Sequence, residues 1–259
     1  MAVVPGVTSL RQGHGRMFVV VGVFDGLHRG HMYLLRALRR EAERRGARPA
    51  VVTFDAHPDE VLLGAAPPLL LDPDERLARL ANAGIEVAVV QHFDRALRET
   101  PYAAFVEMIA ARTELAGFLV TPDAAFGHER RGTPDALADL GSRVGFGVAV
   151  VPPFERDGRS VRSSDIRRAI AEGDLSGARA QLGRSHAVTG PIGQDGAVRF
   201  EMPVAVPPPG RYPVAVEPAW TSRGPVGREL TRTADVHEDG SIGLDRTVPA
   251  GRQRVRFRS

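Results

Sequence analysis

The chain has no cysteine and no lysine among its 259 residues. The first absence excludes disulfides, thiolate metal sites and cysteine nucleophiles. The second makes all 34 basic side chains arginines. A P-loop lysine is therefore excluded, and any side chain that neutralises phosphate here is arginine or histidine. The G-x-G-x-x-G dinucleotide pattern is missing as well. Arginine usage lifts the pI to about 10.1 although the net charge is only +3. Such usage fits GC-rich coding, whereas nucleic-acid binding needs a clustered basic face, so the charge argues against a nucleic-acid partner. No run of about 18 apolar residues could span a membrane. The opening Met-Ala-Val-Val-Pro-Gly lacks a signal-peptide pattern, which makes the cytoplasm the expected location. With 43% hydrophobic and 25% charged residues, the composition is that of a soluble globular protein with one large or two smaller domains.

What is present is a strand–helix alternation. Met17–Val23 is a continuous apolar run, as expected of a strand buried on both faces. A helix over about Met32–Arg45 follows, with Leu34, Leu35, Leu38 and Ala42 on one face and Gly46 as its C-cap. Further strands are expected at Ala50–Phe54, Val87–Val90, Phe118–Val120 and Val148–Val151. Between them, helices open at Asp72-Pro73, Thr100-Pro101 and Thr133-Pro134. Ser163-Ser164-Asp165 starts another helix, with a serine as its cap, and Leu175–Leu182 forms a short last one. Residues 1–16 read as a leader loop. The fold class is α/β, a doubly wound parallel sheet, whose ligands bind beyond the carboxyl ends of the strands. After Gly183 helical periodicity stops. Tyr212–Val216, Ser241–Leu244 and Arg252–Phe257 alternate at period two, which predicts a small antiparallel β domain over residues 184–259. Arg252, Arg254, Arg256 and Arg258 share one face of its last strand, read as a solvated edge or an anion-binding strip.

Chemistry concentrates in Val19–His31. The first strand stops at Gly22, Phe24-Asp25-Gly26 forms a turn, and His28 and His31 stand at the helix start. Unpaired N–H groups and the macrodipole favour anions there. Gly30 allows close approach of a ligand to the helix backbone. Two imidazoles can donate hydrogen bonds to a triphosphate and stabilise charge on a transferring phosphoryl group. The competing readings are a zinc pair, which needs a third ligand, and two structural histidines. Ser163, Ser164 and Arg167 at a second helix start could hold phosphates, or could simply cap that helix. Asp123 could position ribose or substrate and His57 could contact phosphate, although either could equally be an ordinary loop residue.

Gly22-Val-Phe-Asp-Gly-Leu-His-Arg-Gly-His31 resembles the F-D-G-x-H-x-G-H signature of bacterial FAD synthetases, the bifunctional riboflavin kinase/FMN adenylyltransferases of the HIGH-type nucleotidyltransferase superfamily. Thr53-Phe-Asp-Ala-His-Pro58 resembles that family's T-F-D-P-H-P loop, and Val161-Arg-Ser-Ser-Asp-Ile-Arg167 its S-S-T-x-I-R motif. The resemblance implies a Rossmann-like adenylyltransferase domain over residues 1–183 that joins the AMP of ATP to FMN, with Mg²⁺, to give FAD and pyrophosphate. Carried over by position, His28, His31 and Arg167 are the catalytic residues. Gly22, Phe24, Asp25, Gly26, Gly30, Ser163 and Ser164 bind ATP, and His57, Asp123 and Phe126 face the flavin side. No protein metal ligand is expected; the partners are nucleotides and flavin.

The chain departs from the family pattern in three places. Ala56 replaces the proline before His57. Thr121-Pro-Asp-Ala-Ala-Phe-Gly127 lacks the first glycine and first phenylalanine of G-x-[DN]-F-x-F-G. The kinase signature G-R-x-x-G-F-P-T-A-N has no counterpart after His186-Ala-Val-Thr-Gly190, although Pro209-Gly-Arg-Tyr-Pro-Val214 resembles a kinase strand. The expectation is an FMN adenylyltransferase with a reduced β domain that lacks kinase activity. The alternatives are a different acceptor, or a non-catalytic nucleotide- or flavin-binding regulatory protein.

Overall fold

The computed structural model describes residues 1–219, 227–245 and 247–258. They form two compact units: Met1–Phe24, His31–Ala66 and Leu80–Glu155 in one, and Asp25–Gly30, Pro67–Arg79 and Arg156–Ser259 in the other.

The chain opens with strands β1 (Ala2–Pro5) and β2 (Met17–Val21), helix α1 (Arg29–Arg44) and strand β3 (Arg48–Phe54). Next come α2 (Pro58–Leu63), α3 (Pro73–Asn82), β4 (Val87–Gln91), α4 (Arg95–Glu99), α5 (Tyr102–Ala110), β5 (Leu115–Val120), α6 (Pro134–Val144) and β6 (Gly147–Val150). In the first unit these strands make one six-stranded sheet in the order β1-β4-β3-β2-β5-β6, parallel throughout. From β2 the chain winds outward through β3 to β4, then returns to β5 and β6 on the other side. The winding therefore reverses between β2 and β5, where doubly wound sheets bind ligands. Val19, Val52, Val89 and Phe118 on one face pack against Phe105, Val106 and Ile109 of α5 and Leu137 of α6. Phe18, facing the other way, lies under the Arg45 guanidinium, 4.5 Å from its ring centre.

The first sixteen residues are not a leader loop. Ala2–Pro5 pairs in parallel with β4, and Val7 and Leu10 are buried. A four-residue strand gives too short a pattern to announce itself. The short helices α2 and α4 were also not legible.

A hairpin of β7 (Glu155–Arg156) and β8 (Arg159–Ser160) leads to α7 (Ser163–Ala171) and α8 (Leu175–Leu182). Strands β9 (Ala187–Ile192), β10 (Ala197–Val198), β11 (Gly210–Pro218), β12 (Leu230–Val236), β13 (Ile242–Leu244) and β14 (Gly251–Phe257) then close an antiparallel barrel in the order β10-β13-β12-β11-β14-β9. Val188, Val214, Val216, Val255 and Phe257 are among its core residues.

Closure corrects the reading of the arginine face. Strand β14 is no edge, because it pairs with both β9 and β11. Nor do its arginines form a free anion-binding strip. Arg254 is 3% exposed, bonds Glu75 at 2.9 Å and pairs with Glu217. Arg252 meets Asp72, while Arg256 and Arg258 meet Glu229. The carboxylates came from distant parts of the sequence, so the strand alone could not reveal them.

Burial pushes the Glu75 carboxyl up, but Arg254 and Arg79 outweigh it and hold its pKa below the ordinary 4.5. The stability from this network is therefore full above about pH 4.5 and is lost as pH falls through the lower folded value. Arg254→Ala leaves Glu75 with Arg79 alone and Glu217 with Arg256 alone, and is expected to cost roughly 2–4 kcal/mol in urea denaturation at pH 7. A loss below about 1 kcal/mol would show that the buried network is not what holds these carboxylates in place.

Candidate active site

Between β2 and α1 the backbone bends through residues that rarely bend this way. Phe24, Gly26 and Leu27 have φ of 55°, 79° and 37°. Gly26 takes the left-handed region freely; Phe24 and Leu27, each with a Cβ, do so at a cost of about 1–3 kcal/mol apiece. Such strain persists only where the surroundings impose it.

In the first unit the incoming limb is tied to β3. Gly22 N donates to Val52 O at 3.0 Å, and Thr53 Oγ1 donates to Val23 O at 3.0 Å. The buried Phe24 ring lies 5.1 Å from the His31 ring, and a Cβ on Gly22 would come within 3.1 Å of Phe24. Gly22 thus leaves the ring of the phenylalanine two residues on space that a side chain would crowd.

In the second unit the centre of the turn is held almost atom by atom. The buried Asp25 carboxylate accepts from Leu70 N at 3.1 Å and from Arg167 Nη2 at 2.6 Å. Arg167 Nε also donates to Pro68 O at 2.7 Å. Ser163 Oγ donates to Asp25 O at 3.0 Å. Ser163 is thus the first residue of α7, after Arg162 at the cap position, and its hydroxyl serves the turn instead of capping the helix. Ser164 is exposed beside it. Arg184, which sequence reasoning missed, donates to Gly26 O at 2.6 Å and Leu27 O at 3.2 Å. Burial and the neighbouring arginines pull its pKa down to about 9, so it remains charged at neutral pH. A Cβ on Gly30 would meet the His28 ring at 3.1 Å and Val161 O at 3.4 Å. The glycine makes room for the histidine as well as for any ligand.

His28 is 5% exposed, and burial, reinforced by the positive charge of Arg184, lowers its pKa to about 4. It is therefore a neutral imidazole at pH 7, which carries one N–H.

In the first unit, a cavity of about 590 Å³ lies at the carboxyl ends of β2, β3 and β4. Val21, Gly22, Phe54, Phe93, Phe105 and Phe126 are among its walls. Phe54 and Phe93 meet edge to face with centres 5.3 Å apart, and Phe105 and Phe126 do so at 5.8 Å. Of these rings, sequence reasoning named only Phe126, for the flavin side; it did not name Phe54 or Phe93, although Phe54 stands inside the Thr53–Pro58 motif. Asp123 is exposed and accepts from Thr121 Oγ1 at 2.8 Å; it lines a smaller cavity of about 270 Å³. His57 caps α2 through Nδ1, which accepts from Asp59 N at 3.2 Å. Among the described residues, no group of three or more His, Asp or Glu side chains could hold a metal ion.

The family model of FAD synthetase matches residues 10–165. The chain belongs to the FAD synthetase family. A bifunctional riboflavin kinase/FMN adenylyltransferase from Pseudomonas fluorescens is 31% identical over 249 residues, covering 91% of this chain and 80% of that protein. Proteins of the same description from Haemophilus influenzae and Escherichia coli are 32% and 30% identical, and the chain spans only 57% and 62% of their lengths. A crystal structure described as a macrolide-efflux protein from Streptococcus pneumoniae shares the fold, with a TM-score of 0.81 at 22% identity over 99% of this chain and 98% of that one. No helix among the described residues is long and apolar enough to cross a membrane. Within this FAD synthetase family member, the Gly22–His31 motif coincides with the strained turn, and the Val161–Arg167 motif with the residues that hold it.

The depressed pKa of His28 has a sign. The unfolded chain takes up a proton near pH 6.5 that the folded chain refuses until about pH 4, so this contribution to stability is lost as pH falls across that window. An NMR titration of the imidazole should give a pKa below 5; a value near 6.5 would contradict the burial described.

Proposed function

We propose that the protein transfers AMP from ATP to FMN, forming FAD and releasing pyrophosphate. One observation carries this reading. A strained glycine turn at the sheet's reversal point leads into a helix start bearing His28 and His31, and the same strand end borders a cavity walled by phenylalanines.

A phosphate oxygen of FMN attacks the α-phosphorus of ATP. The bond from that phosphorus to the bridging oxygen breaks, and the pair leaves on pyrophosphate. The attacking oxygen is already ionised at neutral pH, so no general base is required. Catalysis then rests on positioning and on charge stabilisation. His28 and His31 donate hydrogen bonds to the transferring group, and the neutral state of His28 suits a donor without a permanent charge. Ser164, the backbone N–H of Ser163 at the helix start and the N–H groups of Arg167 not spent on Asp25 and Pro68 hold the leaving pyrophosphate. Gly22, Phe24, Asp25, Gly26 and Gly30 shape the turn that receives ATP. Mg²⁺ enters with ATP as part of that substrate.

Phe126, Phe54 and Phe93 receive the planar, largely apolar isoalloxazine. These rings compensate for the phenylalanine missing from the Thr121–Gly127 loop. Asp123 and His57 contribute at the flavin side. Residues 1–183 constitute the adenylyltransferase domain. Residues 184–259 form a reduced β domain without riboflavin kinase activity, because the kinase signature is absent after Gly190. The partners are nucleotides and flavin, and the cytoplasm is the location.

Incubation with ATP, Mg²⁺ and FMN should yield FAD, and His31→Ala should lower kcat by about 10²-fold or more. Phe54→Ala should raise KM for FMN about tenfold, through about 1.4 kcal/mol of lost contact, with KM for ATP unchanged. Riboflavin and ATP should give no FMN. ATP turnover without FAD would point to another acceptor, and failure to bind millimolar ATP would sink the enzyme reading.

A further inference from the structure

Arg184 lies between α8 and β9, outside every motif that the sequence offers. Its guanidinium takes the carbonyls of two consecutive residues, Gly26 at 2.6 Å and Leu27 at 3.2 Å. These are two of the three left-handed residues of the turn. Each carbonyl belongs to a planar peptide unit, so fixing the oxygen fixes the whole plane. The plane that carries Leu27 O ends at the Cα of His28. Two bonds from one rigid fork therefore set the path on which His28 enters the site, a constraint that a single point donor could not supply.

We infer that Arg184 is a positioning residue for adenylyl transfer, which holds the turn before His28 in its strained form from the entrance to the barrel. The inference rests on the function proposed above. It also gives the β domain a task independent of kinase chemistry. Within the second unit Arg184 keeps its charge among Glu75, Arg79, Arg254 and Asp25. Of these, Arg254 belongs to β14 and pairs with Glu217 of β11. The barrel wall thus supplies the charged surroundings of the residue that grips the turn. Ser163 adds a third bond, to the carbonyl of Asp25. Three consecutive carbonyls are thereby claimed by side chains of one unit.

The test compares the full chain with Arg184→Gln and Arg184→Lys. With FAD formation as the readout, Arg184→Gln should lose about 10²-fold in kcat, as expected when a catalytic group is displaced by about 1 Å. KM for FMN should stay within twofold of wild type. Arg184→Lys keeps the charge but not the fork, and should recover about tenfold of that loss. Circular dichroism and thermal melting establish which variants are folded. If Arg184→Gln does not fold, Arg184→Lys decides alone, with about a tenfold deficit in kcat expected. A folded variant within threefold of wild-type kcat overturns the inference, as does a loss confined to KM for FMN. Should the wild type make no FAD, the functional reading fails separately. Hydrogen exchange then decides the positioning role: amides 26–28 should exchange about tenfold faster in the folded variant. Unchanged exchange at those amides would overturn it.

Discussion

Two residues with side chains, Phe24 and Leu27, are held in the left-handed region within four positions of each other. A turn like this does not persist through local preference. It costs a few kcal/mol, and something outside the turn must supply them. Here the supply is hydrogen bonding to the turn's own carbonyls and to the Asp25 carboxylate, from Thr53 in one unit and from Ser163, Arg167 and Arg184 in the other. The bonds from Arg167 and Arg184 are charge-assisted and worth about 1.5–3 kcal/mol each, enough with the neutral bonds of Thr53 and Ser163 to offset the strain.

The same constraint explains why residues expected on sequence grounds to hold phosphate are found holding the turn. Arg167 and Ser163 already make bonds to Asp25, and Gly30 already gives way to the His28 ring. A motif that binds a nucleotide must first hold its own loop still, and in the function proposed above the two tasks draw on the same side chains. Preorganisation of this sort is what electrostatic catalysis requires, since donors that have to be reoriented lose their advantage.

The parallel sheet was legible because Val19, Val52, Val89 and Phe118 sit in apolar runs too dense for a surface strand, and because helix starts such as Thr133-Pro134 carry their own chemistry. The turn was legible because glycines and histidines are spaced around it. Other features were hidden for physical reasons. Ala2–Pro5 is too short to show a period. The arginine face of β14 looked solvated because its acidic partners, Glu75, Glu217 and Glu229, come from other elements. Arg184 was invisible because one arginine among thirty-four carries no signal until folding delivers it to two carbonyls. Phe54 and Phe93 carry no signal of their own, because only the pairing of β3 with β4 brings their ends to one cavity.

The central claim is that the α-phosphoryl group of ATP, with its adenosine, is what moves. Labelling decides it most directly. With ATP labelled at the α-phosphorus and FMN as acceptor, the account predicts label in FAD and none in pyrophosphate, while ATP labelled at the γ-phosphorus gives labelled pyrophosphate and unlabelled FAD. Transfer of the γ-label to an acceptor, or retention of the α-label in nucleotide products alone, would contradict it.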